Sequence, residues 1–448
     1  MQSRWRRVRE TPAATGVLWI ALYVALVVTP LLVLFIDPTS PGGGVVWDVG
    51  IALGFGGLAM LGVQFFLTAR FRRATAPYGI DLIYYFHRYL GIVALIVLVA
   101  HPALLWISNP AVAALFNPMT APWHITAGTL SLAAVAGLAV SSLLRRQLGL
   151  EYDLWRVGHT ILAIVAVGLA LWHVHGVGYY VASPWARALW LVIGASLIAV
   201  VAWIRLVRPW LLRRKPYRVI SVVPERGDAW TLALEPVNHN GVRFQPGQFA
   251  WLTLRHSPFA MKEHPFSFSS SPDRDGRRIE FTIKELGDFS RTIKSVLPGE
   301  IGYVDGPYGA FTIDRHPATY YVFIAGGIGI APIMSMLRGL ADRAYPHPVL
   351  LLYAYSRWDR MTFRESLDEL TTRLSLTVVP VLDEPPEGWS GEHGWITREI
   401  LERHLPRDRG QPHYFICGPE AMTQAMERLL KSVGVPLRRI HSELFNLV

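Results

Sequence analysis

The sequence predicts a multi-domain fold: a six-helix transmembrane bundle, then an antiparallel β-barrel, then an α/β domain with a parallel sheet. Long apolar runs with few charges occupy the chain up to about residue 210, where the composition becomes that of a globular protein. Alternating runs punctuated by Gly and Pro then indicate short antiparallel strands. From about residue 317, apolar strands alternate with helices, which is typical of a parallel sheet.

Composition narrows the classes of function. The 448 residues are 52% hydrophobic and carry a formal net charge of +10. The arginines cluster beside apolar runs and do not alternate with aromatic residues, so the charge indicates membrane topology and not nucleic-acid binding. Cys417 is the one cysteine. A single cysteine excludes intramolecular disulfides, a four-cysteine iron–sulfur cluster and a cysteine zinc site.

A basic N-terminal segment, residues 1–15, precedes the predicted bundle over residues 16–210. The six predicted spans approach or exceed the length that crosses about 30 Å of hydrocarbon, and they cover residues 16–36, 49–69, 82–107, 124–144, 157–178 and 186–207. The first apolar run is too long for a signal peptide and lacks a cleavage site. Arginine-rich segments fall on one side, which the positive-inside rule makes cytoplasmic. We therefore expect a multi-pass cell-membrane protein with both termini in the cytoplasm.

Two predicted spans carry histidine pairs with the same spacing. His87 and His101 are 14 residues apart on the third span, and His159 and His173 are 14 residues apart on the fifth. This spacing places both members of a pair on one helix face, about 21 Å apart along the axis. Because the third and fifth spans run in the same direction, His87 should lie level with His159, and His101 level with His173.

Facing histidines at two depths indicate two haems, each held by a pair of axial histidines. Unrelated core histidines bonded to neighbouring carbonyls are the alternative, which the duplicated spacing disfavours. His175 is 16 residues after His159 and so points away from the shared face. His124 begins the fourth span at its outer end. Arg88 either neutralises a haem propionate or reaches the inner headgroups.

Residues 211–316 are predicted to form the barrel, and residues 317–448 the α/β domain. In the latter, Gly327, Gly329 and Pro332 form a G-x-G-x-x-P turn between a strand and a helix. Small residues there let backbone N–H groups and the helix N-terminus approach a pyrophosphate. A plain tight turn is the alternative, because the dinucleotide fingerprint does not end in Pro.

The loop after the second strand of this domain bears on the choice of nucleotide. Ser356, Arg357 and Arg360 lie where a 2′-phosphate could be bound, and no acidic residue directly ends the strand to hold a free 2′-hydroxyl. This arrangement predicts a preference for NADPH over NADH. The alternative is a solvated arginine loop without a role in binding.

Five motifs follow one another in the soluble part: HPFS, GDFS, GPYG, AGGIGIAP and CGP, with an ELF tail. Their order resembles the ferredoxin-reductase-type dehydrogenase module. Together with the paired histidines, the chain over roughly residues 49–448 resembles a bacterial member of the ferric reductase and NADPH oxidase superfamily.

The resemblance implies a flavin-contact strand and a pyrophosphate-binding loop. The strand consists of His264, Pro265, Phe266 and Ser267. In it, Phe266 would flank the isoalloxazine ring and Ser267 would lie near the N5 edge. The loop from Gly287 to Ser290 would offer backbone and hydroxyl donors to the FAD pyrophosphate, and Lys284 would add positive charge. An ordinary Gly-Asp turn is the alternative for this loop.

The resemblance also implies where the nicotinamide binds. Cys417, Gly418 and Pro419 would line its pocket, while Glu443 and Phe445 would approach the flavin from the other face. A small buried residue at a strand end is the alternative for Cys417. The chain continues for three residues beyond Phe445, whereas some relatives end at the aromatic residue.

The activity that the resemblance implies is transmembrane electron transfer. Cytoplasmic NAD(P)H would reduce FAD, and two b-type haems would pass single electrons to external oxygen, giving superoxide, or to a ferric chelate. A flavin is needed because a nicotinamide gives two electrons and haem iron accepts one. A membrane-anchored NAD(P)H:flavin reductase without transmembrane transfer is the alternative. The expected partners are the bilayer, the nucleotide and the acceptor, and the sequence indicates no obligatory protein partner.

Overall fold

The structure, a computed structural model, describes residues 12–36, 43–71, 80–272, 277–405 and 412–444. The chain divides into two compact units, one ending at Arg208 and the other beginning at Pro209. The first unit is helical and the second contains two β-sheets.

The helices of the first unit are apolar around most of their circumference. In chain order they are α1 Pro12–Ile36, α2 Val45–Thr68, α3 Ile80–Ser108, α4 Trp123–Leu143, α5 Tyr152–Val177 and α6 Pro184–Ala202. A π-helical turn, Trp203–Val207, joins α6 to the short α7, Arg208–Arg213, which extends into the second unit. The side chains of Ile96 and Ile198 are 63% and 73% exposed. An outer surface of this kind suits lipid and not water.

Five helices among the described residues are long and apolar enough to cross a membrane: Val45–Thr68, Ile83–Ser108, Trp123–Leu143, Tyr152–Val177 and Pro184–Arg213. The predicted count of six is therefore wrong, and the difference lies at the first span. There the described side chains of α1 cover Gly16–Leu32.

An antiparallel sheet forms the first part of the second unit as a half-barrel, as predicted. Its strands are β1 Pro216–Glu225, β2 Ala229–Pro236, β3 Phe249–Leu254, β4 His264–Ser267, β5 Ile279–Lys284 and β6 Ile301–Tyr308. They pair in the order β4-β3-β6-β1-β2-β5. Leu232, Leu252, Phe268 and Phe281 fill the interior with no exposed surface. A short helix, α8 Asp288–Thr292, follows β5.

A parallel sheet forms the remainder, also as predicted. The strands β7 Tyr321–Gly326, β8 Val349–Tyr355, β9 Leu376–Leu382, β10 Glu392–His393, β11 His413–Gly418 and β12 Ile440–Leu444 pair in the order β10-β9-β8-β7-β11-β12. The helices are α9 Ile330–Asp342, α10 Arg364–Arg373, α11 Arg398–His404 and α12 Glu420–Ser432. All residues of β7 are buried, as expected for a strand covered on both faces.

The strand order of this sheet reverses at β7. From β7 the chain proceeds outward through β8 and β9, and it returns to place β11 on the other side of β7. Ligands of open α/β sheets bind at such a point, beyond the carboxyl ends of the strands. Gly326 and Gly418, the last residues of β7 and β11, lie at this point of the fold.

Candidate functional site

Two pairs of histidine rings face each other between α3 and α5. The ring centroids of His87 and His159 are 6.3 Å apart, with 66° between the ring planes. Those of His101 and His173 are 6.4 Å apart, with 70° between the planes. The structure therefore brings the four predicted histidines together two by two. His175 is exposed, in agreement with its predicted angle.

The separation within each pair suits a metal ion held between two imidazoles. An imidazole nitrogen binds a first-row metal ion at about 2.0 Å and lies about 1.1 Å from its own ring centroid, so two axial ligands of one ion have centroids about 6.2 Å apart. The observed separations of 6.3 and 6.4 Å agree with this value. The donor set therefore fits haem iron with two axial histidines.

Backbone carbonyls orient the outer pair of rings. His101 Nδ1 donates to the carbonyl oxygen of Gly50 at 2.8 Å, and His173 Nδ1 donates to that of His124 at 2.9 Å. Because a carbonyl oxygen only accepts, each Nδ1 carries the hydrogen and each Nε2 keeps its lone pair for a metal. The outer histidines are thus held in the tautomer that axial ligation requires.

The inner pair has different neighbours. His159 Nδ1 lies 3.3 Å from the hydroxyl oxygen of Ser142. His87 Nδ1 is buried and has no hydrogen-bond partner among the described residues. The inner histidines thus lack the carbonyl partners that fix the tautomer of the outer pair.

Two helix glycines make room for the outer rings. A Cβ at Gly54 of α2 would lie 2.8 Å from His101 Nδ1, and a Cβ at Gly128 of α4 would lie 2.8 Å from His173 Nδ1. A side chain at either position would displace the ring. The sequence analysis missed both glycines. Their signal is a glycine inside an apolar helix, which costs about 1 kcal/mol relative to Ala and usually has a packing reason.

The glycine turn of the second unit lies at the carboxyl end of β7. Gly327 has a φ of +53°, in the left-handed region that favours glycine. A Cβ at Gly329 would lie 2.2 Å from the carbonyl oxygen of Cys417, and a Cβ at Gly418 would lie 3.0 Å from Cα of Gly326. Because glycine has no side chain, the backbones at the ends of β7 and β11 can approach each other closely. Pro332 is buried in the first turn of α9, where its missing N–H costs nothing.

Cys417 and Glu443 occupy paired positions of β11 and β12. The side chain of Cys417 is fully buried, and that of Glu443 is 8% exposed. Burial, and next the charge of Glu443, raise the pKa of the Cys417 thiol well above its usual range. Cys417 is therefore a neutral thiol at neutral pH and not a nucleophile. A Cβ at Gly309 would lie 3.3 Å from Glu443 Oε1, which places this carboxylate beside the GPYG turn. Phe445 lies outside the described residues.

The HPFS motif forms β4, which pairs with β3. The hydroxyl oxygen of Ser267 is buried and has no hydrogen-bond partner among the described residues. An unsatisfied buried hydroxyl costs about 1–3 kcal/mol, so this one is free to bond to a bound group or to water. The half-buried Phe266 lies one residue before Ser267 on the same strand, and the flavin contacts of both residues stay predictions.

An aromatic contact joins the HPFS and GDFS motifs. The rings of His264 and Phe289 stack with centroids 4.0 Å apart, and Phe266 lies 5.8 Å from Phe289. Phe289 is a site residue that the sequence did not single out. The hydroxyl of Ser290 accepts from the N–H groups of Leu286 and Gly287 and donates to the Gly287 carbonyl. That hydroxyl stabilises the turn, and its predicted contact with a pyrophosphate stays a prediction.

Carboxylates pair with the arginines of the predicted 2′-phosphate loop. Arg357 donates to both carboxylate oxygens of Asp359, at 3.0 and 3.1 Å, and Arg360 pairs with Asp228. The carbonyl of Ser356 accepts from the N–H of Glu384 at 2.7 Å. A 2′-phosphate would have to compete with these acidic groups, so the preference for NADPH stays a prediction.

The barrel docks on the nucleotide sheet through α9 and the end of β8. Ser335, which is fully buried, donates to the carbonyl of Ser270 at 2.7 Å, and Arg338 donates to that of Ser269 at 2.8 Å. Lys284 Nζ lies 5.4 Å from the ring centroid of Tyr355, the last residue of β8. These contacts hold the serines that follow β4 against the helix that follows the glycine turn. Ser335 and Arg338 were not predicted as site residues.

Three family models match the chain in succession. A ferric reductase like transmembrane component matches residues 53–170, an FAD-binding domain matches residues 214–312, and an oxidoreductase NAD-binding domain matches residues 323–428. The chain thus combines a ferric-reductase-like transmembrane region with FAD-binding and NAD-binding domains. In this order, the three matches are the architecture of the ferric reductase and NADPH oxidase superfamily, so the predicted resemblance to that superfamily is confirmed, while the predicted bacterial origin stays a prediction.

Two curated relatives of the chain are named as reductases. The reductase component of propane 2-monooxygenase from Rhodococcus jostii is 30% identical over 236 residues, which are 51% of this chain and 62% of that protein. NADH-cytochrome b5 reductase 1 from Cryptococcus neoformans is 32% identical over 184 residues, which are 38% of this chain and 63% of that protein. The chain thus spans about six tenths of the length of these relatives.

Solved structures with some similarity include two flavoproteins. The flavohem-like FAD/NAD-binding domain of nitric oxide dioxygenase from Vibrio cholerae has 20% identity and a TM-score of 0.45, covering 51% of this chain and 97% of its own. Flavohemoglobin from Malassezia yamatoensis has 18% identity and a TM-score of 0.48, covering 90% of this chain and 98% of its own.

Proposed function

We propose that the chain passes electrons from cytoplasmic NAD(P)H, by way of FAD, across the membrane to an external acceptor. The observation that carries this proposal is the pair of facing histidine sites, with centroid separations of 6.3 and 6.4 Å, on helices long enough to cross a bilayer. Two b-type haems would supply one-electron carriers at two depths. His87 and His159 would hold the inner one, and His101 and His173 the outer one.

At the flavin, the chain would position the two ring systems and exclude water. The unpartnered hydroxyl of Ser267 supports a hydrogen bond to the flavin near N5. Cys417, kept neutral by burial, would give the nicotinamide an uncharged surface beside Gly418 and Pro419. Glu443 would approach the flavin from the opposite side, from its place beside the GPYG turn. We propose that Phe445, two residues later, covers the flavin ring until the nicotinamide arrives.

We also propose the topology and the class of acceptor. The arginine-rich segments between the spans support cytoplasmic termini and a cytoplasmic flavin domain. The acceptor on the other side is oxygen, giving superoxide, or a ferric chelate. Both accept single electrons, which suits delivery by haem iron.

Sealed vesicles test the proposal because nicotinamide nucleotides do not cross a bilayer. NADPH is supplied to the face that bears the flavin domain, and a ferric chelate or oxygen is tested separately in the compartment on the other side. We expect reduction in the opposite compartment by wild-type protein and none by His101→Ala. Reduction confined to the NADPH side, in wild-type vesicles that carry FAD, would instead support the membrane-anchored flavin reductase.

A further inference from the structure

Three histidines of the second unit come together at the amino end of the parallel sheet. His413 begins β11, His441 lies in β12, and His316 precedes β7. Each offers a ring nitrogen, and these nitrogens all lie within 4.8 Å of one another. The parallel pairing of β11 with both β7 and β12 brings these distant parts of the chain side by side. All three side chains are partly exposed, so an ion from solvent can reach them.

The geometry of this histidine cluster, His316, His413 and His441, is close to that of a metal site. His413 Nδ1 lies 2.8 Å from His441 Nε2, and the His316 ring stacks on that of His441 with centroids 3.7 Å apart. Two nitrogens bound to one tetrahedral Zn²⁺ at about 2.0–2.1 Å are about 3.3 Å apart. The first pair must open by about 0.5 Å, and the His316 ring must turn, which its position in a connecting segment allows.

We propose that His316, His413 and His441 bind one divalent transition-metal ion, for which Zn²⁺ is the model. Imidazole is a ligand suited to Zn²⁺, Cu²⁺ and Ni²⁺, and three protein ligands leave a fourth position open to water or an anion. The hydrogen bond between His413 and His441 satisfies both nitrogens in the metal-free protein. When the ion binds, the hydrogen of that bond would move to the other nitrogen of the donor ring, so that both rings stay neutral and each presents a lone pair.

The charge of the surroundings favours an anionic fourth ligand. Burial is the largest cause that lowers the pKa of each histidine, to about 4 for His316 and to about 3 for His441. His413 and then Arg315 lower the pKa of His316 further, and Arg439 lowers that of His413. Hydroxide or chloride on the ion would offset the two guanidinium charges.

The site is remote from the nicotinamide edge of the sheet. His413 and Gly418 are the first and last residues of β11, which separates them by about 17 Å along the strand. A bound ion would therefore not take part in hydride transfer. It would connect β11, β12 and the segment before β7, and so stabilise the nucleotide-binding domain against unfolding.

The test uses the full chain with FAD, purified in detergent without a polyhistidine tag and freed of metal by a chelator. Zn²⁺ binding is measured by equilibrium dialysis, and the melting temperature of the soluble unit is followed with and without Zn²⁺. The variants are His441→Gln and His316→Gln. His347→Gln is the matched control, since His347 is an exposed histidine of the same domain, outside the histidine cluster.

We expect the wild type and His347→Gln to bind one more Zn²⁺ than the cluster variants. The affinity in the cluster variants should fall by more than about tenfold, the loss that even an outer-shell substitution typically causes. Zn²⁺ should raise the melting temperature in the wild type and the control alone. NADPH-dependent dye reduction should be normal in each variant, and this activity shows that the variant is folded. If His441→Gln does not fold, the result for His316→Gln tests the proposal. Equal Zn²⁺ binding by wild type and a folded cluster variant would overturn the proposal.

Discussion

Gly128→Ala should remove the outer haem while leaving the helices intact. The added Cβ would lie 2.8 Å from Nδ1 and 2.9 Å from Cγ of His173, whereas carbon atoms in contact are about 3.5–4.0 Å apart. The ring would have to move by about 0.6 Å or more. A shift of this size cannot be absorbed by a metal–nitrogen bond of about 2.0 Å.

Gly128→Ala should remove the haem without lowering the stability of the protein, because two energetic effects oppose each other. Moving the ring strains the 2.9 Å hydrogen bond from His173 to the His124 carbonyl, which is worth about 1 kcal/mol. Ala is favoured over Gly in a helix interior by about 1 kcal/mol. Because the two effects nearly cancel, we expect the stability of the fold to change little while the haem is lost.

The assay is the ratio of haem to FAD in the purified protein, measured by absorption. We expect two haems per FAD in the wild type and one in Gly128→Ala. Gly137→Ala, on the same helix, is the matched control, because its Cβ would lie at an ordinary 3.6 Å from Leu162. Two haems in Gly128→Ala with an unchanged spectrum would refute the reasoning, as would an equal loss in Gly137→Ala.

Three further predictions concern the soluble unit. Ser267→Ala should retain FAD but slow flavin reduction by about fivefold to tenfold, the worth of one hydrogen bond, and an unchanged single-turnover rate would exclude that bond. Arg357→Ala should lower kcat/KM for NADPH relative to NADH by about tenfold or more if the guanidinium binds the 2′-phosphate, whereas Asp359→Ala should raise the ratio by freeing that group. Equal ratios in both variants and the wild type would remove the predicted preference. Phe445→Ala should alter KM for the nucleotide without loss of FAD, and identical steady-state kinetics would show that the tail lies elsewhere.

The order of domains and the histidine pairs could be predicted because both depend on regular spacing. A shared interval of 14 residues on two parallel helices determines which rings meet, whatever the details of packing. The number of spans was harder to predict, since five helices among the described residues qualify as candidate spans and α1 is not one of them.

Other parts of the site depend on contacts between distant segments. Gly54 and Gly128 face histidines on other helices, and Ser335 donates to the segment after β4. A glycine inside an apolar helix indicates close packing, but the sequence does not show which distant residue is its partner. The contact between Asp359 and Arg357 could not be predicted for a different reason. Asp359 lies two residues after Arg357, yet only the folded loop shows that its carboxylate engages the guanidinium.

The haem content of His173→Ala, compared with that of His175→Ala, tests the central claim most directly. The two histidines lie on one helix two residues apart, but only His173 faces His101, and His175 is exposed. We predict that His173→Ala contains one haem per FAD and loses transfer to external acceptors, while it still reduces a soluble dye with NADPH. His175→Ala should contain two haems. Normal haem content in His173→Ala, or a loss in His175→Ala alone, would contradict the assignment of the outer ligands.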